Sequence, residues 1–167
     1  MCALPASLCV LVEESQDQKQ LTLTAFDPVK GRGNMLRSIE KDPTASFAWG
    51  YGLSPDGTTF ALSSRGEPEI HIRLLSLSGG SDREITVEGW PNLIGRSWSS
   101  DGKGLYCGSA AAQNRTLLYV DLNGKARVLW QVKGFGGILA IPSPDGRYLA
   151  IPGGDAINSN VWMVEDF

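Results

Sequence analysis

The chain has 167 residues, 42% of them hydrophobic and 20% charged, with a formal net charge of -3. This is a globular rather than a disordered composition, and it offers no basic excess for binding a nucleic-acid backbone. No apolar run approaches the roughly 20 residues of a membrane helix, so no membrane span is expected.

The opening, MCALPASLCVLVEE, has no basic segment ahead of its apolar run and turns acidic at Glu13. It reads poorly as a signal peptide, and localisation stays open between cytoplasm and periplasm. Strands are predicted at Leu8–Val12, Leu21–Phe26 and Met35–Glu40. The polar stretch Glu13–Gln20 has no apolar face and reads as a loop. Lys30, Arg32 and Arg37 come nearest to a basic cluster, but Asp27 and Glu40 bracket them, as on a solvated face.

Three segments then look alike: LSPDGTTFALSS from Leu53, WSSDGKGLYCGS from Trp98 and PSPDGRYLAIPG from Pro142. Their aspartates, Asp56, Asp101 and Asp145, are 45 and 44 residues apart. The register holds downstream without gaps. Four residues on come Phe60, Leu105 and Leu149; six on come Leu62, Cys107 and Ile151; nineteen on come Leu75, Val120 and Val164.

Turn signals divide each unit into strands. Trp49–Leu53, Ile94–Trp98 and Ile138–Pro142 precede the Asp-Gly turn, and a second strand follows it. Third strands are predicted at Ile70–Leu77, Leu117–Leu122 and Val161–Glu165, with strict alternation at Ile70, Ile72 and Leu74. Ser78-Gly79-Gly80 and Asn123-Gly124 make a second tight turn, followed by fourth strands at Glu84–Glu88 and Arg127–Val132. A period near 45 residues with four antiparallel strands is the signature of a β-propeller blade. The expected fold is all-β, a single partial propeller over residues 1–167. Its blades fall near 8–40 (incomplete), 46–88, 93–132 and 137–167 (incomplete), with three, four, four and three strands. The length then suggests part of something larger.

Ser54-Pro55-Asp56-Gly57 with Phe60-Ala61-Leu62, Trp98-Ser99-Ser100-Asp101-Gly102 with Leu105-Tyr106, and Ser143-Pro144-Asp145-Gly146 with Leu149-Ala150-Ile151 resemble the WD-repeat-like propeller repeat of bacterial TolB-type proteins. Leu118–Asp121 and Val161–Glu165 fit its third strand. The resemblance covers residues 45–167 well and 8–40 weakly. The Trp-Asp dipeptide and Gly-His pair of eukaryotic WD repeats are missing. Such repeats occur in envelope proteins, after bacterial kinase or DNA-binding domains, and ahead of serine peptidase domains. The resemblance implies the C-terminal propeller part of a larger bacterial sensor or kinase-type protein.

Candidate chemistry is sparse. Each Asp-Gly loop offers one carboxylate, which suits a turn cap better than a calcium ligand. His71, the one histidine, lies on a third strand beside Arg73, and no Gly-x-Ser-x-Gly elbow is present. Cys107 occupies an aliphatic inward position. Cys2 and Cys9 could pair or stay free, and the odd cysteine count without metal spacing argues against a zinc site. Gly102-Lys103-Gly104 and Gly31-Arg32-Gly33 continue to no phosphate-binding pattern. Asn114-Arg115-Thr116 is a formal glycosylation sequon, placed in a loop.

No catalytic residue, metal or cofactor is expected. A binding face is sought first in the connecting loops, at Trp90, Asn92 and Phe135. The expected function is a non-catalytic interaction module. Its partner would be another protein or further domains of the same parent, and self-association through exposed strand edges is open. The alternative is the propeller portion of a serine peptidase-type enzyme whose catalytic domain lies outside this chain.

Overall fold

The computed structural model describes residues 1–3, 6–40, 50–65, 70–90, 93–111, 114–134, 138–154 and 159–165. Among these there are fourteen strands and no helix, arranged as four antiparallel sheets in which neighbours in sequence are neighbours in space. The first sheet contains β1 (Cys9–Glu14), β2 (Gln20–Asp27) and β3 (Gly31–Glu40). The second contains β4 (Tyr51–Leu53), β5 (Thr59–Arg65), β6 (Ile70–Ser76) and β7 (Arg83–Thr86). The third contains β8 (Leu93–Trp98), β9 (Gly104–Ala111), β10 (Asn114–Asp121) and β11 (Ala126–Lys133). The fourth contains β12 (Ile141–Pro142), β13 (Tyr148–Gly154) and β14 (Ser159–Glu165).

Local chemistry fixes the hairpins. Asp56 accepts hydrogen bonds from Ser54 Oγ (2.5 Å) and the Thr58 N–H (3.0 Å), and Gly57 takes φ +73°. Asp101 and Asp145 repeat the pattern with Ser99 and Lys103, and with Ser143 and Arg147. Gly102 and Gly146 take φ +69° and +71°. Each carboxylate therefore caps a turn whose backbone needs the left-handed region that glycine adopts without strain. The same device joins β1 to β2. Asp17 accepts from Ser15 Oγ (2.6 Å) and the Lys19 N–H (3.2 Å), but Gln18 at φ +58° stands where the others have glycine.

Several boundaries differ from the sequence reading: Glu13 and Glu14 belong to β1 and Gln20 to β2, where a loop is expected, β3 starts at Gly31 rather than Met35, and β7 is Arg83–Thr86 rather than Glu84–Glu88. Ile138–Ala140 run ahead of β12 without joining its ladder. Ile138 and Ala140 are buried, and a Cβ on Gly108 would lie 2.0 Å from the Ile138 oxygen, so that segment packs against the third sheet. Asn114 opens β10 and is half-buried, where a loop is expected. Trp49 lies outside the described residues.

The first sheet gains an inner edge that its sequence does not announce. Cys2 bridges Cys9 antiparallel, the Ala3 N–H donates to the Leu8 oxygen (2.7 Å), and the Val10 N–H donates to the Met1 oxygen (2.7 Å). A Cys2–Cys9 disulfide fastens this pairing. Residues 1–3 thus take the place that β4, β8 and β12 hold in the other sheets.

Three apolar clusters tie successive sheets together. Val10, Leu21, Leu23 and Ile39 meet Phe60, Leu62 and Leu75. Ile72, Leu74, Ile85 and Val87 meet Trp98, Leu105, Cys107 and Val120. Tyr106 and Leu117 meet Ile138, Leu149 and Ile151. Fully burying a side chain such as Phe60 contributes about 2–3 kcal/mol. Polar reach repeats as well. Arg37 on β3 donates to the Ser76 oxygen (2.9 Å) and pairs with Asp82, while Arg83 on β7 donates to the Leu122 oxygen (3.0 Å). Each arginine fastens an outer strand to the end of the next sheet's third strand. On β14, Val161 and Met163 remain 74% and 71% exposed.

Candidate functional site

The inner edges converge. Residues 1–3, β4, β8, β12 and the turns that leave those strands line one cavity of about 450 Å³. Its walls include Tyr51, Leu53, Trp98, Ile141 and Pro142, with Ser97, Ser100 and Ser143 beside them. Trp98 is fixed by its neighbours, with its indole N–H donating to the Gly52 oxygen (3.1 Å). Gly52 keeps this approach close, since a Cβ would stand 3.2 Å from the Trp98 ring and the ring would have to give by a few tenths of an ångström.

Arg96 is the charged side chain of this wall and is only 6% exposed. Nη1 donates to the Gly50 oxygen over a long 3.4 Å, and Nε and Nη2 have no partner among the described residues. Burial lowers the pKa of the guanidinium from its ordinary value, with the Cys107 thiol acting in the opposite direction. Arginine nevertheless stays protonated. Burying a cation without a countercharge costs several kcal/mol.

A bulge frames Arg96. The β8–β9 register shifts between Ile94 and Arg96, and the intervening Gly95 takes φ +62°. A Cβ on Gly95 would meet Leu139 Cδ2 at 1.9 Å. Both the backbone and the crowding therefore require glycine at the step before Arg96. Sequence reasoning missed Arg96. The available signal was its position five residues before Asp101, where the other repeats have Tyr51 and Ala140.

A second cavity, of about 440 Å³, opens between the second and third sheets beside Asp56, Asp101 and Arg83. Hydrogen bonds from Ser54 and Ser99 hold those two carboxyls below the usual carboxylate range. Their lone pairs already serve the turns. No cluster of metal-ligating side chains occurs among the described residues.

The residues singled out from sequence fall elsewhere. Trp90 is half-buried and packs against the cluster between the second and third sheets. Asn92 and Phe135 lie outside the described residues. The connection carrying Trp90 enters β8 at its start, whereas the Ser99–Asp101 turn leaves from its end. His71 Nδ1 lies 3.1 Å from Thr86 Oγ1 and 3.2 Å from Glu84 Oε1, between adjacent strands β6 and β7. Cys107 is fully buried, and burial pushes its thiol up to about 11. No described helix is long and apolar enough to cross a membrane.

No protein-family model and no curated protein matches the chain. Solved structures do. TolB from Acinetobacter baumannii superposes with a TM-score of 0.60 at 17% identity, over 95% of this chain and 41% of that one. A chain of a nidogen/laminin complex gives 0.68 at 13% identity, over 93% and 57%. A prolyl endopeptidase gives 0.61 at 19% identity, over 93% and 26%. The chain thus has the fold of a TolB-type β-propeller, here as antiparallel sheets of three and four strands. It spans less than two thirds of the length of each of these structures.

Proposed function

We propose that the chain is a non-catalytic binding module, in which a ligand or protein partner is held in the channel formed by the inner strands. The observation that carries this reading is the convergence of residues 1–3, β4, β8 and β12 on a single walled cavity. Loops and strand ends on a rigid sheet scaffold suit recognition. In this reading residues 1–167 form one partial propeller, with blades near 8–40, 46–88, 93–132 and 137–167, in the C-terminal part of a larger bacterial protein. Trp90, Asn92 and Phe135, in the connecting loops of the sequence, remain the candidate binding-face residues of this reading.

A photo-crosslinking residue at Tyr51, on the channel wall, tests the proposal against one at Val128, exposed on β11. In an extract of the source cells, a discrete adduct formed from Tyr51 and not from Val128 is expected. Equal labelling from both positions, or none from Tyr51, would contradict the reading.

The likeness to a prolyl endopeptidase favours a second reading, a propeller attached to a peptidase domain. A peptidase domain encoded in the same reading frame would support it. A kinase or DNA-binding domain there would support the first.

A further inference from the structure

We propose that the outward faces of the first and fourth sheets are two halves of one docking surface, through which copies of this chain associate head to tail. The repeat carries the argument. Sixteen and eighteen residues after each repeat aspartate stand Ile72 and Leu74, Leu117 and Tyr119, and Val161 and Met163. On β6 and β10 these positions face the following sheet. Ile72 and Leu74 share a cluster with Trp98, Leu105 and Cys107, while Leu117 and Tyr119 meet Ile138, Leu149 and Ile151. On β14 the same register leaves Val161 and Met163 bare, 74% and 71% exposed.

The complement lies on the first sheet. Inside the chain, the residues that receive such a face are Phe60 and Leu75, paired across β5 and β6, and Leu105 and Val120, paired across β9 and β10. The Ala3 N–H bonds the Leu8 oxygen as the Ser54 N–H bonds the Thr59 oxygen, so Cys9 opposite Phe26 takes the place of Phe60 opposite Leu75. Met35 stands opposite Thr24, two residues from Phe26 along β2 and therefore on its face. Phe26 is 38% exposed and Met35 65%.

Packing of the first sheet on the fourth within one chain would cover all four side chains, so their exposure leaves both halves free. The occupant each half fits is a sheet of the same repeat in the same register, and a second copy presents it. Facing sheets interdigitate their inner side chains, and the two methionines adapt to irregular gaps. Because the two halves differ, the contact is heterologous: copies close into a ring if the rotation allows and otherwise grow as a chain. With three strands on either side, the contact is smaller than that between the second and third sheets, and weak, concentration-dependent association follows.

Sedimentation velocity of the whole chain tests the proposal. Monomer is expected at about 1 μM, and dimer or larger species at about 100 μM. A monomer throughout overturns the proposal without recourse to any variant. Val161→Asp with Met163→Asp removes one half, and Phe26→Asp with Met35→Asp the other, with the fold checked by circular dichroism. Each double variant alone should stay monomeric at about 100 μM, while their equimolar mixture forms a one-to-one dimer and nothing larger, since one intact half remains on each chain. Self-association of either double variant, as pairing through the β14 edge or unspecific apolar contact would give, overturns the assignment. So does a mixture that stays monomeric. Val128→Asp, an exposed change on β11 away from the first and fourth sheets, should associate like the unmodified chain. Loss of association there would mean that added charge and not these faces governs it, and overturns the proposal too.

Discussion

Trp98 on β8 donates its indole N–H to the backbone oxygen of Gly52 on β4, 3.1 Å away, stitching the inner strands of the second and third sheets. Trp98→Phe keeps most of the apolar contact but strands the Gly52 carbonyl. The expected loss is about 1–3 kcal/mol in a urea titration with unchanged slope. A midpoint equal to that of the unmodified protein would remove this bond from the account.

Arg96 makes the opposite prediction. Its side chain is buried, and two of its nitrogens have no partner among the described residues. Replacing such a charge by methionine removes a desolvation cost, so ligand-free Arg96→Met should be as stable as the parent or about 1–4 kcal/mol more stable. Denaturation in urea reads the sign. A marked loss of stability would mean that the guanidinium is a structural strut.

The glycines separate strain from crowding. Gly102 has φ +69° but its nearest foreign atom would be 3.9 Å from a Cβ, so Gly102→Ala costs only the conformational penalty of about 1–2 kcal/mol. Gly124 combines φ +87° with a Thr86 oxygen 2.2 Å from the same position. Gly124→Ala should therefore lower the melting temperature more than Gly102→Ala. The reverse order would contradict the packing described for β7 against the Asp121–Lys125 turn.

These turns were the most legible part of the molecule. Asp-Gly at a spacing of 45 and 44 residues marks the hairpins, and the apolar residues four and six positions on mark the buried face of the next strand. The first sheet was harder to read. Its inner edge is three residues too short to show alternation, held by a disulfide, and its β1–β2 turn uses Gln18 where a glycine would have signalled it. The site was least legible of all. Arg96 carries no motif, and its meaning comes from a bulge and from three other segments that the fold brings to it. Trp90 drew attention as a large aromatic in a loop, but a loop aromatic can also serve as packing, and this one touches a core cluster.

The cysteines should behave differently from one another. Cys2 and Cys9 are seven residues apart and disulfide-bonded. Closing so short a loop is worth roughly 2.5 kcal/mol in the chain-entropy account. Reduction should lower the unfolding midpoint and loosen residues 1–3, read by hydrogen exchange at Ala3 and Val10. Cys107, with its thiol raised to about 11 and no exposure, should resist iodoacetamide until the protein unfolds. Rapid labelling of the folded chain would contradict its buried placement.

Acid should weaken the protein at its turns. Hydrogen bonds from Ser54, Ser99 and Ser143 hold Asp56, Asp101 and Asp145 below the ordinary carboxylate range. A carboxyl with a lowered folded-state pKa contributes its stability above the unfolded value near 4, and loses it as the pH falls through the folded value. Urea midpoints should hold from pH 8 to 6 and drop below about pH 4. Ser99→Ala, which removes the main donor to Asp101, should lose less on acidification than the parent. An unchanged acid slope would contradict this.

The central claim, that the inner strands hold a ligand or protein partner in their shared cavity, is tested most directly by photo-crosslinking from Tyr51 on the cavity wall set against Val128 on β11. The account predicts a discrete adduct from Tyr51 and none from Val128. Equal labelling from both positions, or none from Tyr51, would contradict it.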